Sequence, residues 1–315
     1  MKTCFGASKS ASPISWRSTG KLQRTLACCI ERSGVGLHSG KVSKVRIWPH
    51  LAGEGRWFDL HSNRIPASID FVEKSPLCTT LLKNGLRIRT IEHLLSALEA
   101  NGVDNCRIQI ENLDGEEEDV EVPILDGSAM EWVKAIEEVG LEVAKDTHGN
   151  DYKKVAPYLN EPVHLSRNDS SMIAFPSSNI RISVGIDFPQ VPVIGCQWFS
   201  SSLGDDSVYN KQIAPARTFC IYEEVEKMQK AGLIKGGSYN NALVGSRSRG
   251  WMNPPLRFEE EPARHKALDL IGDLSLFARS GSQGLPVAHI VAYKSGHGLH
   301  GDFGRYLRSL LSEES

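Results

Sequence analysis

Between Glu259 and Gly281 the chain reads EEEPARHKALDLIGDLSLFARSG, which sets His265, Asp269 and Asp273 at successive four-residue intervals. Pro262 suits a first helical turn, where its missing N–H costs nothing, and the glutamates before it suit the positive end of a helix dipole. Leu270, Leu274 and Phe277 recur at helical spacing and Gly281 supplies a stop, so the segment is predicted to be a helix. Side chains four residues apart share a helix face. An imidazole and a carboxylate so placed can both reach one divalent ion at about 2.0–2.2 Å. Alone, the pattern equally describes a solvated polar face; chemistry requires a third ligand and a base from elsewhere.

Both are on offer in Thr90-Ile-Glu-His-Leu-Leu-Ser-Ala-Leu-Glu-Ala100. His93 adds a second imidazole, and three protein ligands with an open fourth position are what a hydrolytic zinc site requires. Glu92, adjacent to that ligand, has the chemistry of a general base. His297, between two glycines in KSGHGL, is a candidate acid or electrostatic partner, and Asp273 is placed to fix its tautomer. Lys266 adds positive charge beside His265.

These groups need elements to carry them. Ile91, Leu94, Leu95 and Leu98 form an apolar helical stripe, with Thr90 as the expected N-cap and Asn101-Gly102 as the close. Strand-like runs at 41–49, 57–60 and 65–71 precede it, and Asn84-Gly85 is a hairpin signal between 77–82 and 86–88. Strands at 106–110 and 120–123 follow. Ser128 and Glu131 carry capping-box spacing at the head of a helix ending near Gly140. The polar stretch 146–151 is the expected domain boundary. Beyond it the style repeats, with strands at 155–165, 172–175, 180–188 and 287–293, a helix at 223–231, and a glycine-hinged loop holding His297. Strands and then a helix, twice over, predict an α+β fold in two layers rather than a doubly wound sheet. The expected division is 1–20 presequence, 21–145 first domain, 152–305 second domain and 306–315 tail.

Composition excludes several function classes. The 315 residues carry a formal net charge of −2, which makes no field for nucleic acid or an anionic membrane. No apolar run is long enough to span a bilayer. Seven cysteines without a CxxC pair argue for free thiols and against a four-cysteine zinc site. The first thirty residues contain no Asp or Glu but five Lys or Arg and several serines. That is the signature of a transit peptide, cleaved after import into a mitochondrion, with a plastid as the alternative.

Taken in order, SGVGLHSG, TIEHLLSAL, PILDGSA, ARTF, GGSYNNALV, RFEEEPARHKALDLIGDL and AYKSGHGL resemble the UDP-3-O-acyl-N-acetylglucosamine deacetylase family, zinc amidases of lipid A synthesis. The resemblance spans about residues 21–299 and implies two α/β-sandwich domains, each a sheet layered with helices, with the active site in the cleft between them. It implies zinc, or ferrous iron, at His93, His265 and Asp269. It further implies Glu92 as base, His297 as charged partner oriented by Asp273, Thr218 on the oxyanion and Lys266 near the substrate. Leu37, Phe219, Gly237, Ser238 and Val244 match positions lining the family's acyl passage, with His38 beside them. UDP-3-O-acyl-N-acetylglucosamine is the substrate so implied, and the protein is expected to be a monomer; an inactive acyl-sugar-nucleotide-binding protein on the same fold is the rival. Asn160-Glu161 stands where the family often has a substrate-contacting lysine before the glutamate.

Overall fold

Asn84 and Gly85 both take positive φ, 53° and 84°, and turn strand Thr80–Lys83 back onto Leu86–Arg89. This is the mirror-image turn geometry whose twist matches paired strands. The computed structural model describes residues 12–311 apart from 76, 114–117, 205 and 254. Its helices are α1 (Glu92–Ala100), α2 (Met130–Val139), α3 (Asp206–Gln212), α4 (Tyr222–Lys230), α5 (Glu261–Ser275) and α6 (His297–Ser309).

The first half builds a five-stranded sheet in the order Ile30–Val35, Val42–Pro49, Cys106–Asn112, Arg56–Leu60, Asn63–Pro66. Strict alternation places Ser43, Val45 and Ile47 inward while Arg46 and Trp48 face out. A four-stranded sheet, Asp119–Glu121, Leu86–Arg89, Thr80–Lys83, Val72–Glu73, accompanies it. The second half has a five-stranded sheet ordered Val163–Arg167, Ser170–Pro176, Ala288–Tyr293, Arg181–Phe188, Gly195–Ser202. A small sheet of Phe219–Ile221, Leu243–Ser246 and Gly250–Trp251 is flanked by α4. The architecture is α+β in two sandwich-like halves, and α1 of the first meets α5 of the second in the cleft between them.

Helix α5 is the centre of the molecule. It packs on α1, α6 and strands Arg181–Phe188 and Gly195–Ser202, and only Arg264 and Lys266 escape full burial. A helix buried all round is normally apolar all round. His265, Asp269 and Asp273 are therefore polar groups held where desolvation is costly unless they are partnered.

Three expectations need correcting. Residues 14–20, assigned to a presequence, belong to strand Ile14–Leu22, which pairs antiparallel with Lys153–Leu159. Ile14 is buried there and Trp16 stacks on Phe277 at 5.6 Å, so two apolar side chains outweigh the basic, serine-rich composition. Residues 1–11 of that assignment lie outside the described residues. Residues 306–309 of the expected tail close α6, with Leu307 fully buried, and residues 312–315 lie outside the described residues. His297 is not in a loop but is the first residue of α6, after an extended Gly296. Leu299, Phe303 and Leu307 bury one face at i, i+4, i+8, and this burial overrides the helix-weakening Gly298, Gly301 and Gly304.

Candidate metal centre and active site

Thr90 does not cap α1. It takes φ of 57° and its hydroxyl donates to buried Glu121 at 2.7 Å, so the chain enters the helix through Ile91. The same Glu121 carboxylate accepts from the His38 and Ser39 amides, fixing the 36–40 turn beside the head of α1. Glu92 and His93 then stand in the first turn facing α5. The helices come this close because residue 272 is glycine: a methyl group there would lie 2.8 Å from the Glu92 carbonyl carbon, and nearer still to its oxygen.

On that contact three groups converge. His265 Nε2 lies 3.3 Å and His93 Nε2 3.6 Å from Asp269 Oδ1. The two rings cross at 89° with centroids 4.9 Å apart. Ligands about 2.0–2.2 Å from a tetrahedral ion stand roughly 3.3–3.6 Å from one another, so the spacing fits one cation. His265 Nδ1–H donates to the Ala216 carbonyl at 3.0 Å, which leaves the Nε2 lone pair turned inward. Asp269 Oδ1 is buried without a hydrogen-bond partner, an expensive state for a carboxylate oxygen that a metal ion would relieve. His93, His265 and Asp269 can therefore hold a metal ion.

Around them the charges are strongly biased. Burial alone would raise Asp269, but His265 and Lys266, the latter donating to Oδ2 at 2.9 Å, hold it well below the usual carboxylate range. Burial pushes His265 down to about 4. Burial would lower Lys266, yet Asp269 keeps it above its ordinary value. Glu92 Oε2 accepts the Thr79 amide at 3.0 Å, while Oε1 faces His297 Nε2 at 3.8 Å. Burial raises Glu92 to about 7 against the opposing pull of His297. For His297 burial acts downward, but Asp273 and Glu92 outweigh it and lift the imidazole to about 10. Asp273 Oδ2 accepts His297 Nδ1–H at 2.9 Å, and its other oxygen accepts the Thr79 hydroxyl. The result is a proton-accepting carboxyl and a charged imidazole on either side of the same few ångströms.

The remaining sequence-derived residues fall together as well. Leu37, His38, Phe219, Gly237, Ser238 and Val244 line a cavity of about 460 Å³, with Thr218 and Lys266 also on its wall. Phe188, Ile221, Val225, Met228 and Ile234 make the rest of it largely apolar. The 215–218 loop carrying Thr218 is tied to α5 by Glu261, which accepts from the Arg217 and Arg257 amides and from the Arg217 guanidinium. Sequence reasoning did not find Thr79, Glu121 or His300. Thr79 acts through its amide and its hydroxyl, Glu121 accepts from turn amides and from Thr90, and neither has a spacing signal. His300 stands three residues after His297, a signal that counts only once a helix is known to start there.

A family model described as UDP-3-O-acyl N-acetylglycosamine deacetylase (LpxC) matches residues 23–309. The chain is 57% identical over 303 residues to an Arabidopsis thaliana protein named "Probable UDP-3-O-acyl-N-acetylglucosamine deacetylase 1, mitochondrial", covering 96% of this chain and 93% of that one. A Trichormus variabilis protein named UDP-3-O-acyl-N-acetylglucosamine deacetylase is 49% identical over 284 residues, 88% of this chain and 95% of its own. One of the same name from Thermosynechococcus vestitus is 44% identical over 287 residues, 90% and 93% of the two chains. With helices α1 and α5, the cleft and the whole span from 23 to 309 accounted for, the chain belongs to the UDP-3-O-acyl-N-acetylglucosamine deacetylase family.

Proposed function

We propose that the protein hydrolyses the 2-N-acetyl amide of UDP-3-O-acyl-N-acetylglucosamine, giving the free 2-amine and acetate. The observation that carries this reading is the triad of His93 Nε2, His265 Nε2 and the unpartnered Asp269 Oδ1, with Glu92 and His297 beside it. These three residues would hold zinc, with ferrous iron as the alternative, and the ion would supply Lewis acidity and bring a water's pKa toward ~7. Glu92, raised toward neutrality by burial, accepts the proton of the attacking water as that water adds to the amide carbonyl. Charged His297, held by Asp273, and Thr218 stabilise the oxygen that becomes negative. Loss of one such donor costs on the order of 10²–10³ in rate in other enzymes. Glu92 or His297 then returns a proton to the departing amine. Lys266 fixes Asp269 and stands on the cavity wall near the sugar. The 3-O-acyl chain lies in the apolar cavity against Leu37, Phe219 and Val244, with His38, Gly237 and Ser238 around it.

The decisive experiment is acetate release from UDP-3-O-acyl-N-acetylglucosamine. Release is expected, with loss on chelation, recovery on adding zinc and no loss of fold. A metal-loaded, folded protein that binds the substrate and releases nothing would instead be the inactive acyl-sugar-nucleotide-binding protein. No helix among the described residues is long and apolar enough to cross a membrane. We place the protein in the mitochondrion, following its N-terminal composition and the name of the Arabidopsis relative, with any cleavage before Ile14. A monomer, and domains meeting near 146–151, complete the proposal.

A further inference from the structure

Three donors converge on the Asp273 carboxylate. Oδ1 accepts from the Thr79 hydroxyl, and Oδ2 accepts from both His297 Nδ1–H at 2.9 Å and His300 Nδ1–H at 2.7 Å. His300 is completely buried, and its other nitrogen, Nε2, lies 2.8 Å from Ser295 Oγ. Since Nδ1 carries the proton toward the carboxylate, Nε2 accepts the Ser295 hydroxyl. Both imidazoles come from the first turn of α6 at i and i+3, with ring centroids 6.2 Å apart.

Asp273, His297 and His300 also satisfy the crude distance test for a metal site. The details argue otherwise. Nitrogens 2.7 and 2.9 Å from a shared oxygen are at hydrogen-bonding distance, closer than the roughly 3.3 Å between ligands of a tetrahedral ion. Of the other atoms, Asp273 Oδ1 and His300 Nε2 already have hydroxyl partners, and His297 Nε2 turns away toward Glu92. The group is a hydrogen-bond network whose one open end is His297 Nε2.

We infer that His300 is a positioning residue for the reaction: it grips Asp273 Oδ2 from the side, fixes the plane of that carboxylate, and thereby aims His297 Nε2 at the space beside Glu92. Thr79 holds Oδ1 through one rotatable hydroxyl, whereas the rigid His300 ring, seated on Ser295, holds Oδ2 at a second point and keeps the carboxylate from shifting with His297. This assignment rests on reading the site as the deacetylase centre.

The test compares His300→Leu with His300→Asn. Asparagine Nδ2 sits one bond beyond Cγ, where histidine Nδ1 does, so it restores the donor; leucine fills space without one. His300→Leu is expected to lower kcat about tenfold, the usual cost of removing a group that orients an active one. KM and bound metal should stay at parental values, while the thermal midpoint of the Leu variant falls because Ser295 and Asp273 each lose a buried partner. His300→Asn should recover kcat to within about threefold of the parent. With 15N-labelled histidine, the His297 Nδ1–H resonance should persist in the Asn variant and shift or broaden in the Leu variant, whether or not the protein turns over. Should the Leu variant fail to fold, His300→Gln, whose amide lies one bond too far, takes its place with the same expectation. A Leu variant with parental kcat and an unchanged resonance overturns the assignment, as does an Asn variant that falls as far as Leu. A parent protein that releases no acetate sinks the deacetylase reading instead, and the resonance comparison still decides the role of His300.

Discussion

Glu92 divides its carboxylate between two tasks. Oε2 is pinned by the Thr79 amide, and Oε1 is left facing the reaction space and His297. Replacing Glu92 by Gln keeps the first bond and removes the basic oxygen. Steady-state assay should then show kcat reduced by about 10²–10⁴ with metal content intact. His297→Ala should reduce kcat by about 10²–10³, also with the ion retained. His265→Ala is different in kind: metal analysis should find well under one equivalent, and a full equivalent would remove His265 from the ligand set. At this scale much was legible. Glu92, His93, His265, Asp269 and Asp273 stand out by type and helical spacing, and His297 by its place between two glycines. The Thr79 amide and the Ala216 carbonyl do not, because a backbone group has no letter in a sequence, and nothing in its spacing marks the Thr79 hydroxyl. Nor does Glu121, one acid among several around a short strand, whose three donors arrive from distant segments.

Among the elements, the meeting of α1 and α5 sets the dimensions of the centre, and Gly272 sets that meeting. Gly272→Ala puts a methyl group into the Glu92 carbonyl and must push the helices apart. A loss of about 1–3 kcal/mol in urea unfolding is expected, the ordinary cost of overpacking. Metal affinity should weaken too, since the His93–Asp269 distance spans the two helices. A variant with parental stability and affinity would show that the gap accommodates a side chain. The Asn84-Gly85 hairpin and helices α1, α2, α4 and α5 could be read from periodicity and turn chemistry. The start of α6 could not, since three glycines conceal a helix stabilised by the burial of Leu299, Phe303 and Leu307. Strand Ile14–Leu22 was hidden for a related reason: its composition mimics a targeting segment, and only pairing with Lys153–Leu159 shows its place.

For the whole molecule, that strand joins the beginning of the chain to the opening strand of the second half, and Trp16 covers Phe277 just beyond α5. A protein starting at Gln23 should therefore lose stability, with a thermal midpoint lower by roughly 5 °C or more. An unchanged midpoint would make the strand dispensable. Which sheet faces which, and that α1 meets α5, were not accessible from periodicity. They follow from packing between segments far apart in the chain; the resemblance implied a cleft and its ligands and gave no pairing of sheets.

The partition of the centre between α1 and α5 also bears on biogenesis. A ribosome releases His93 long before His265 and Asp269, so an early nascent chain holds only one of the three ligands. Capture of the ion must wait until both halves have docked. Helix α5 by itself supplies only His265 and Asp269, so the three-ligand cradle exists only in the docked protein, to be filled by whatever its compartment then supplies.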